Sequence, residues 1–327
     1  MKKRIITGII MLLVLGPLVV MPNPTPYDSN ATFFVFFIIF QVMCGLLALV
    51  GTHELIKMFE TEKPLCRSAK GVAYFLTLTI FLNLGNYWGE FGDLTVPLLD
   101  LRITNMAILL FAIFLLLAVF VFDKEFSADQ LGKVLLTSAY VGFGVSAIVL
   151  LKAVGVRFII FVLLITTMTD VFAYFFGVAF GKHKMAPTIS PKKSWEGAIG
   201  GTVMATIIAS SFAIFYGHIF PADSVLGAAF NPNGYRTIFD GLSSLGEDRF
   251  NVLRPFIIVL IVTLGSVATQ IGDLVASKLK RSYDIKDFGN VFPGHGGVLD
   301  RFDSLIFVSL LFVGVFLTVQ AIFPVVI

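Results

Sequence analysis

Nine apolar runs, each of a length that can cross a bilayer, leave this chain few ways to fold. They cover roughly 5–21, 32–51, 71–88, 105–122, 134–151, 156–180, 197–219, 255–276 and 304–326. A hydrocarbon core about 30 Å thick takes about 20 helical residues. Backbone polar groups inside lipid must be satisfied within the segment, which selects helices. Only 14% of the 327 residues are charged, against about 25% in globular domains. The expected fold class is therefore all-α: a polytopic integral membrane helical bundle with about nine transmembrane helices. The net charge of +3 is too small to argue for a nucleic-acid partner. Cys44 and Cys66 fall in a predicted span and a predicted loop, so no structural disulfide is expected.

Lys and Arg set the orientation. With the N-terminus in the cytoplasm, the inside segments hold 18 of them and the outside segments hold 6, counting Lys152 and Arg157 in an outside loop. Segments 181–196 and 277–303, both rich in polar residues, then share the cytoplasmic face. The MKKR start followed by an apolar run also suits a signal peptide. No small-x-small cleavage site follows it directly, so an uncleaved first helix is expected. Residues 1–155 read as scaffold helices and 156–327 as the region carrying chemistry, within one membrane unit. Stretch 220–254, rich in Gly and Asn, reads as a solvated external excursion.

Ionisable groups within spans are expensive and mark function. In the run at 255–276, Thr263, Ser266, Gln270, Asp273 and Ser277 recur at spacings of 3, 4, 3 and 4, on one helical face. For Ser266 and Gln270 a helix-packing hydrogen-bond seam is the expected role; Asp273 is expected to bind a ligand. Asp170 is a second intramembrane carboxylate, followed by Tyr174, Gly177 and Gly181, whose glycines suit a close helix approach.

Two loops complete the pattern. Residues 181–197, GKHKMAPTISPKKSWEG, cluster Lys182, Lys184, Lys192 and Lys193, with Ser190 and Pro191 before a turn. Ser194 is placed to N-cap the next helix, and a helix N-terminus flanked by lysines suits an anion. Residues 277–303 bring Ser277, Lys280, Arg281, Lys286, His295 and Arg301 together with Gly294, Gly296 and Gly297. Such glycines permit N–H groups to approach phosphate oxygens. Asp300 and Asp303 lie three apart at the start of the last run. Cations with a few carboxylates suit a nucleoside triphosphate, an anionic lipid and Mg²⁺, which prefers oxygen ligands and bridges phosphates. A phosphate nucleophile is already ionised, so no strong general base is required. His295 reads as a hydrogen-bond donor to phosphate, with a structural turn histidine as its rival.

These residues resemble the phosphatidate cytidylyltransferase family (CDP-diglyceride synthetases). The resemblance rests on Ser277, Leu279-Lys280-Arg281, Lys286-Asp287, Gly289, Phe292-Pro293, His295-Gly296-Gly297 and Asp300-Arg301-Phe302-Asp303. Upstream it takes in Asp170, Ala173-Tyr174, Gly177, Gly181-Lys182 and SPKKSWEG. The specific match covers about 166–308; the N-terminal half is similar only as a set of apolar runs. The resemblance implies that CTP and phosphatidate give CDP-diacylglycerol and pyrophosphate. It implies Mg²⁺ at Asp273 and Asp300 with Asp303 nearby, and K⁺ as a second metal. It implies catalytic roles for Asp273, Asp300, Lys286 and His295. Substrate binding then falls to Lys182, Ser190, Lys192, Lys193, Ser277, Lys280, Arg281, Gly296, Gly297 and Arg301. Membrane lipids are the expected surroundings, a homodimer is compatible, and the expected location is a bacterial inner membrane with the site facing the cytoplasm. Two alternatives stay open at this point: a CTP-dependent enzyme acting on another lipid phosphate, and a cation-coupled transporter using Asp170 and Asp273.

Overall fold

The computed structural model describes residues 16–17, 19–21, 31–85, 105–247, 251–292, 294 and 296–323. Its helices are α1 (Ala31–Phe59), α2 (Arg67–Gly85), α3 (Asn105–Phe122), α4 (Ala128–Thr137), α5 (Gly144–Val154) and α6 (Val156–Phe180), followed by α7 (Trp195–Ile214). Two short helices come next, α8 (Tyr216–Ile219) and α9 (Val225–Phe230), and then the long α10 (Leu253–Ser282) and α11 (Leu299–Ile322). A π-helical turn, Ser138–Phe143, joins α4 to α5. An antiparallel hairpin, β1 (Lys184–Ala186) and β2 (Ser190–Ser194), stands before α7.

The expected all-α membrane class holds. Among the described residues, six helices are long and apolar enough to cross a membrane: Val35–Phe59, Ala128–Val154, Val156–Phe180, Trp195–Ile214, Leu253–Ser282 and Leu299–Ile322. Of the nine expected runs, 105–122 forms a shorter apolar helix, Ala107–Phe122. The run at 71–88 falls largely on α2, and 5–21 lies almost wholly outside the described residues.

The chain divides into two compact units, Met1–Ala153 with Leu279–Phe302, and Val154–Lys278 with Asp303–Ile327. In the first, α1, α2 and the α4–α5 segment bury Leu55, Met58, Phe59, Leu76, Phe81, Val141 and Val149. The π-turn widens the backbone by one residue per hydrogen-bonded ring. Gly142 within it faces α2 so closely that a Cβ would stand 3.1 Å from the Ile80 side chain and 3.2 Å from the Thr77 carbonyl oxygen. Lys152 corrects the sequence reading: it lies within α5, 1% exposed, rather than in an external loop. Its ammonium donates to the Val19 and Met21 carbonyls at 3.0 and 2.9 Å and sits 5.0 Å from the Phe40 ring centroid. The two carbonyl oxygens and the ring face stand in for part of the water that the buried charge gives up.

In the second unit α6 and α7 pack at backbone distance. A Cβ on Gly197 would stand 2.6 Å from the Ala173 carbonyl oxygen, and one on Gly201 would stand 2.8 Å from that of Thr169. Small residues are the usual means of such an approach in lipid, where no hydrophobic drive holds helices together. The polar stripe of α10 supplies the rest of the adhesion. Thr169 donates to the Ser266 hydroxyl at 2.8 Å, and Gln270 Nε2 donates to the Ala198 carbonyl and the Thr202 hydroxyl at 3.0 and 2.8 Å. Ser266 and Gln270 therefore form the expected packing seam. Phe312 and Phe316 of α11 stack edge-on and tilted against Phe161 and Phe158.

The 220–254 stretch is less solvated than the sequence suggests. Ile238 and Phe239 are fully buried. Arg157, also expected outside, is buried in α6, stacks 4.0 Å from the Tyr235 ring and donates to the Asp240 carbonyl at 2.6 Å. Burial pushes the Tyr216 phenol up to about 12, against the opposing pull of the Arg157 guanidinium, so it stays protonated and donates to the Phe230 carbonyl. Asn231 ties the segment together. Its Nδ2 donates to the Phe220 and Tyr235 carbonyls at 3.0 and 2.9 Å, and its Oδ1 accepts from the Tyr235 N–H at 2.8 Å. Asn231→Ala strands these buried backbone groups and should cost about 2–3 kcal/mol. Thermal unfolding of the purified protein checks it: a transition lower by several degrees is expected, and an unchanged one would show that water satisfies the segment.

Candidate functional site

In the second unit the hairpin is built to present lysines. β1 pairs with β2 so that Lys184 faces Ser194 and Ala186 faces Ser190. Pleating alternates side chains along β2, leaving Lys192 exposed and Lys193 half-buried. Ser194 N-caps α7 as expected, accepting from the Gly197 N–H at 3.2 Å. Glu196, in the first turn of α7, accepts from the Lys182 and His183 N–H groups at 3.1 and 3.2 Å and pairs with His183 Nδ1 at 2.6 Å. The base of the hairpin is thereby fixed to the helix. Gly181 is confined by Ser194, whose Oγ would lie 2.7 Å from an added Cβ.

Lys193 reaches α10. Its ammonium pairs with Asp273 Oδ2 at 2.5 Å, and the Ser277 hydroxyl donates to Asp273 Oδ1 at 3.4 Å. About a third of the Asp273 side chain stays exposed, so the pair remains open to a ligand. Asp170 of α6 is exposed too and feels both Asp273 and Lys193 electrostatically. Two carboxylates and an ammonium thus share one locality. Lys182, Ser190 and Lys192 stand on the adjoining hairpin segment, with both lysines exposed.

In the first unit a second cluster forms around Asp300. Its side chain is 4% exposed. Oδ1 takes the Lys280 ammonium at 2.7 Å; Oδ2 takes the Phe288 and Gly297 N–H groups at 2.8 and 2.9 Å. Lys280 also lies 4.9 Å from the Phe288 ring centroid. Gly296 adopts φ +87°, and an added Cβ would stand 2.9 Å from Asp300 Oδ2. Arg281 donates to the Ile285 carbonyl at 3.1 Å, Lys286 is exposed, and Arg301 lies exposed in the first turn of α11. His295 lies outside the described residues. Asp303, in the other unit, is 8% exposed and accepts from the Ser304 N–H at 2.7 Å.

One residue of this cluster escaped the sequence reading. Glu54 of α1 accepts from the Val298 and Leu299 N–H groups at 2.8 and 2.9 Å. The sequence reading ended the apolar run at 51, while the helix continues to Phe59 and carries Glu54 within it.

The fit to Mg²⁺ is a matter of donors. Among the described residues no group of three or more His, Cys, Asp or Glu stands ready to hold a metal. Mg²⁺ does not need one, since one or two carboxylates with substrate phosphates and water suffice. The open Asp170 and Asp273 carboxylates meet that requirement. Asp300 uses three of its about four acceptor sites on protein donors, which leaves little room for a further ligand.

The cytidylyltransferase family model matches residues 2–319. The chain is 33% identical over 313 residues to a phosphatidate cytidylyltransferase of Bacillus subtilis, covering 94% of each chain. It is 30% identical over 311 residues to one of Staphylococcus haemolyticus, covering 94% of this chain and 96% of the relative. The N-terminal half, similar to the family only as apolar runs when its motifs are read, is thus part of the same match, and the chain as a whole belongs to the cytidylyltransferase family.

Proposed function

We propose that this protein transfers the cytidylyl group of CTP to phosphatidate, giving CDP-diacylglycerol and pyrophosphate. The observation that carries this reading is the open Asp170–Asp273–Lys193 cluster in a chain of this family. An oxygen of the phosphatidate phosphate attacks the α-phosphorus of CTP. One P–O bond forms, the α–β bridging P–O bond breaks, and pyrophosphate leaves with the electron pair. The nucleophile arrives ionised, so the protein's work is alignment and charge neutralisation.

Lys193 and the exposed Lys182 and Lys192 are suited to hold anionic phosphate groups. Ser277 orients Asp273 by donating to Oδ1. Asp273 and Asp170 would hold Mg²⁺, which when bound neutralises developing charge on the phosphates. Metal roles for Asp300 and Asp303, and K⁺ as a second metal, rest in this proposal on the motif alone; Asp300 would have to release a protein donor to take up a metal. Catalytic roles for Lys286 and His295, and an inner-membrane location with the reaction on the cytoplasmic face, belong to this proposal as well.

The test uses purified full-length protein with CTP and phosphatidate. Pyrophosphate should appear in equal amount with CDP-diacylglycerol, with Mg²⁺ present and not after chelation. No pyrophosphate under any divalent cation would overturn the assignment. Equal turnover after chelation would overturn the metal role alone.

A further inference from the structure

α1 is apolar along most of its length, yet it buries one carboxylate near its C-terminal end, Glu54, 3% exposed. Both of its oxygens are engaged by backbone: Oε1 by the Val298 N–H and Oε2 by the Leu299 N–H. These groups open α11, where a helix has no internal acceptors to offer. A carboxylate there gains from the helix dipole and from charge-assisted hydrogen bonds. The turn is also shaped around it. A Cβ on Gly289 or on Gly297 would overlap the Glu54 carboxylate. Asp300 takes the neighbouring donors, the Phe288 and Gly297 N–H groups. Two carboxylates therefore consume four backbone donors of one turn, and those donors are not offered to phosphate.

We propose that Glu54 is a positioning residue: it locks the start of α11 at 297–300 and so sets how Asp300 and Lys280 are presented, without touching substrate. The catalytic part of this inference rests on the reading that Asp300 serves cytidylyl transfer. The lock itself does not. Its partners lie more than two hundred residues away in sequence, so the interaction joins the N-terminal helices to the motif that carries the family signature.

Hydrogen–deuterium exchange and kinetics on the full-length protein test it together. In Glu54→Gln and Glu54→Ala, peptides spanning 296–302 should exchange faster, while peptides from α6 and α7 keep wild-type protection. Turnover of CTP should fall about 10- to 100-fold in kcat/KM, as is usual when the support of a site residue is removed. Glu54→Gln, which keeps one acceptor oxygen, should be the milder. Gly297→Ala should displace the carboxylate, and Glu54→Ala/Gly297→Ala should be no worse than Glu54→Ala, because both changes break one contact. Unchanged exchange at 296–302 would overturn the lock. Loss of protection throughout the chain would overturn it too, by making Glu54 a general stabiliser. Local acceleration with wild-type kcat/KM would overturn the positioning role. A wild-type protein inactive with CTP and phosphatidate would instead fail the functional reading, leaving the exchange result to judge the lock.

Discussion

Asp273→Asn should leave a folded, membrane-inserted protein whose turnover of CTP and phosphatidate is lower by about a thousandfold or more. The substitution keeps the shape of the side chain and removes its charge. Asp273 is about a third exposed and pairs with Lys193 at 2.5 Å, so the loss of that pair should cost at most about 1 kcal/mol of stability. Removing even one neutral hydrogen-bond donor to a transition-state oxyanion costs about 10²–10³ in rate. A carboxylate holding a divalent cation should cost at least as much. The check is kcat at saturating Mg²⁺ beside a thermal unfolding curve. Near-normal turnover would remove Asp273 from the chemistry, and a collapsed unfolding temperature would make the Lys193 pair structural.

Asp300→Ala should behave differently, losing stability as well as activity. The Asp300 and Lys280 side chains are 4% and 11% exposed. Removing one partner leaves the other charge buried and unpaired, which costs about 3–5 kcal/mol. The Phe288 and Gly297 N–H groups lose their acceptor at the same time. Thermal unfolding should fall by several degrees, and turnover should vanish at temperatures where the variant is still folded. Asp300→Asn keeps one acceptor oxygen and should unfold between the two. Wild-type unfolding of Asp300→Ala would show that Lys280 finds water in place of its partner.

The contrast between these two carboxylates was not legible in the sequence, where both are aspartates in a motif. Their difference lies in what surrounds them: a lysine and an open face for Asp273, a closed ring of donors for Asp300. Hydropathy made the all-α class and six of the nine expected spans legible among the described residues, because length and apolarity decide them. The 3-4-3-4 spacing identified the α10 seam because Ser266 and Gln270 must hydrogen-bond within a low-dielectric environment. Lys152 and Arg157 were misread as loop charges because composition does not reveal carbonyl oxygens or aromatic rings folding over a cation. The 220–254 segment was misread for the same reason, since Asn231 makes a polar stretch compact by bonding to backbone. Glu54 was missed because its partners are backbone N–H groups, which carry no sequence signal.

The central claim is that the α-phosphate of CTP ends up on the lipid. CTP radiolabelled at the α-phosphate or at the γ-phosphate, incubated with phosphatidate and the purified protein, tests it directly. The account predicts that α-label enters the organic-soluble lipid while γ-label appears only in pyrophosphate. Label from the γ-phosphate in the lipid, or no lipid label from either nucleotide, would contradict it.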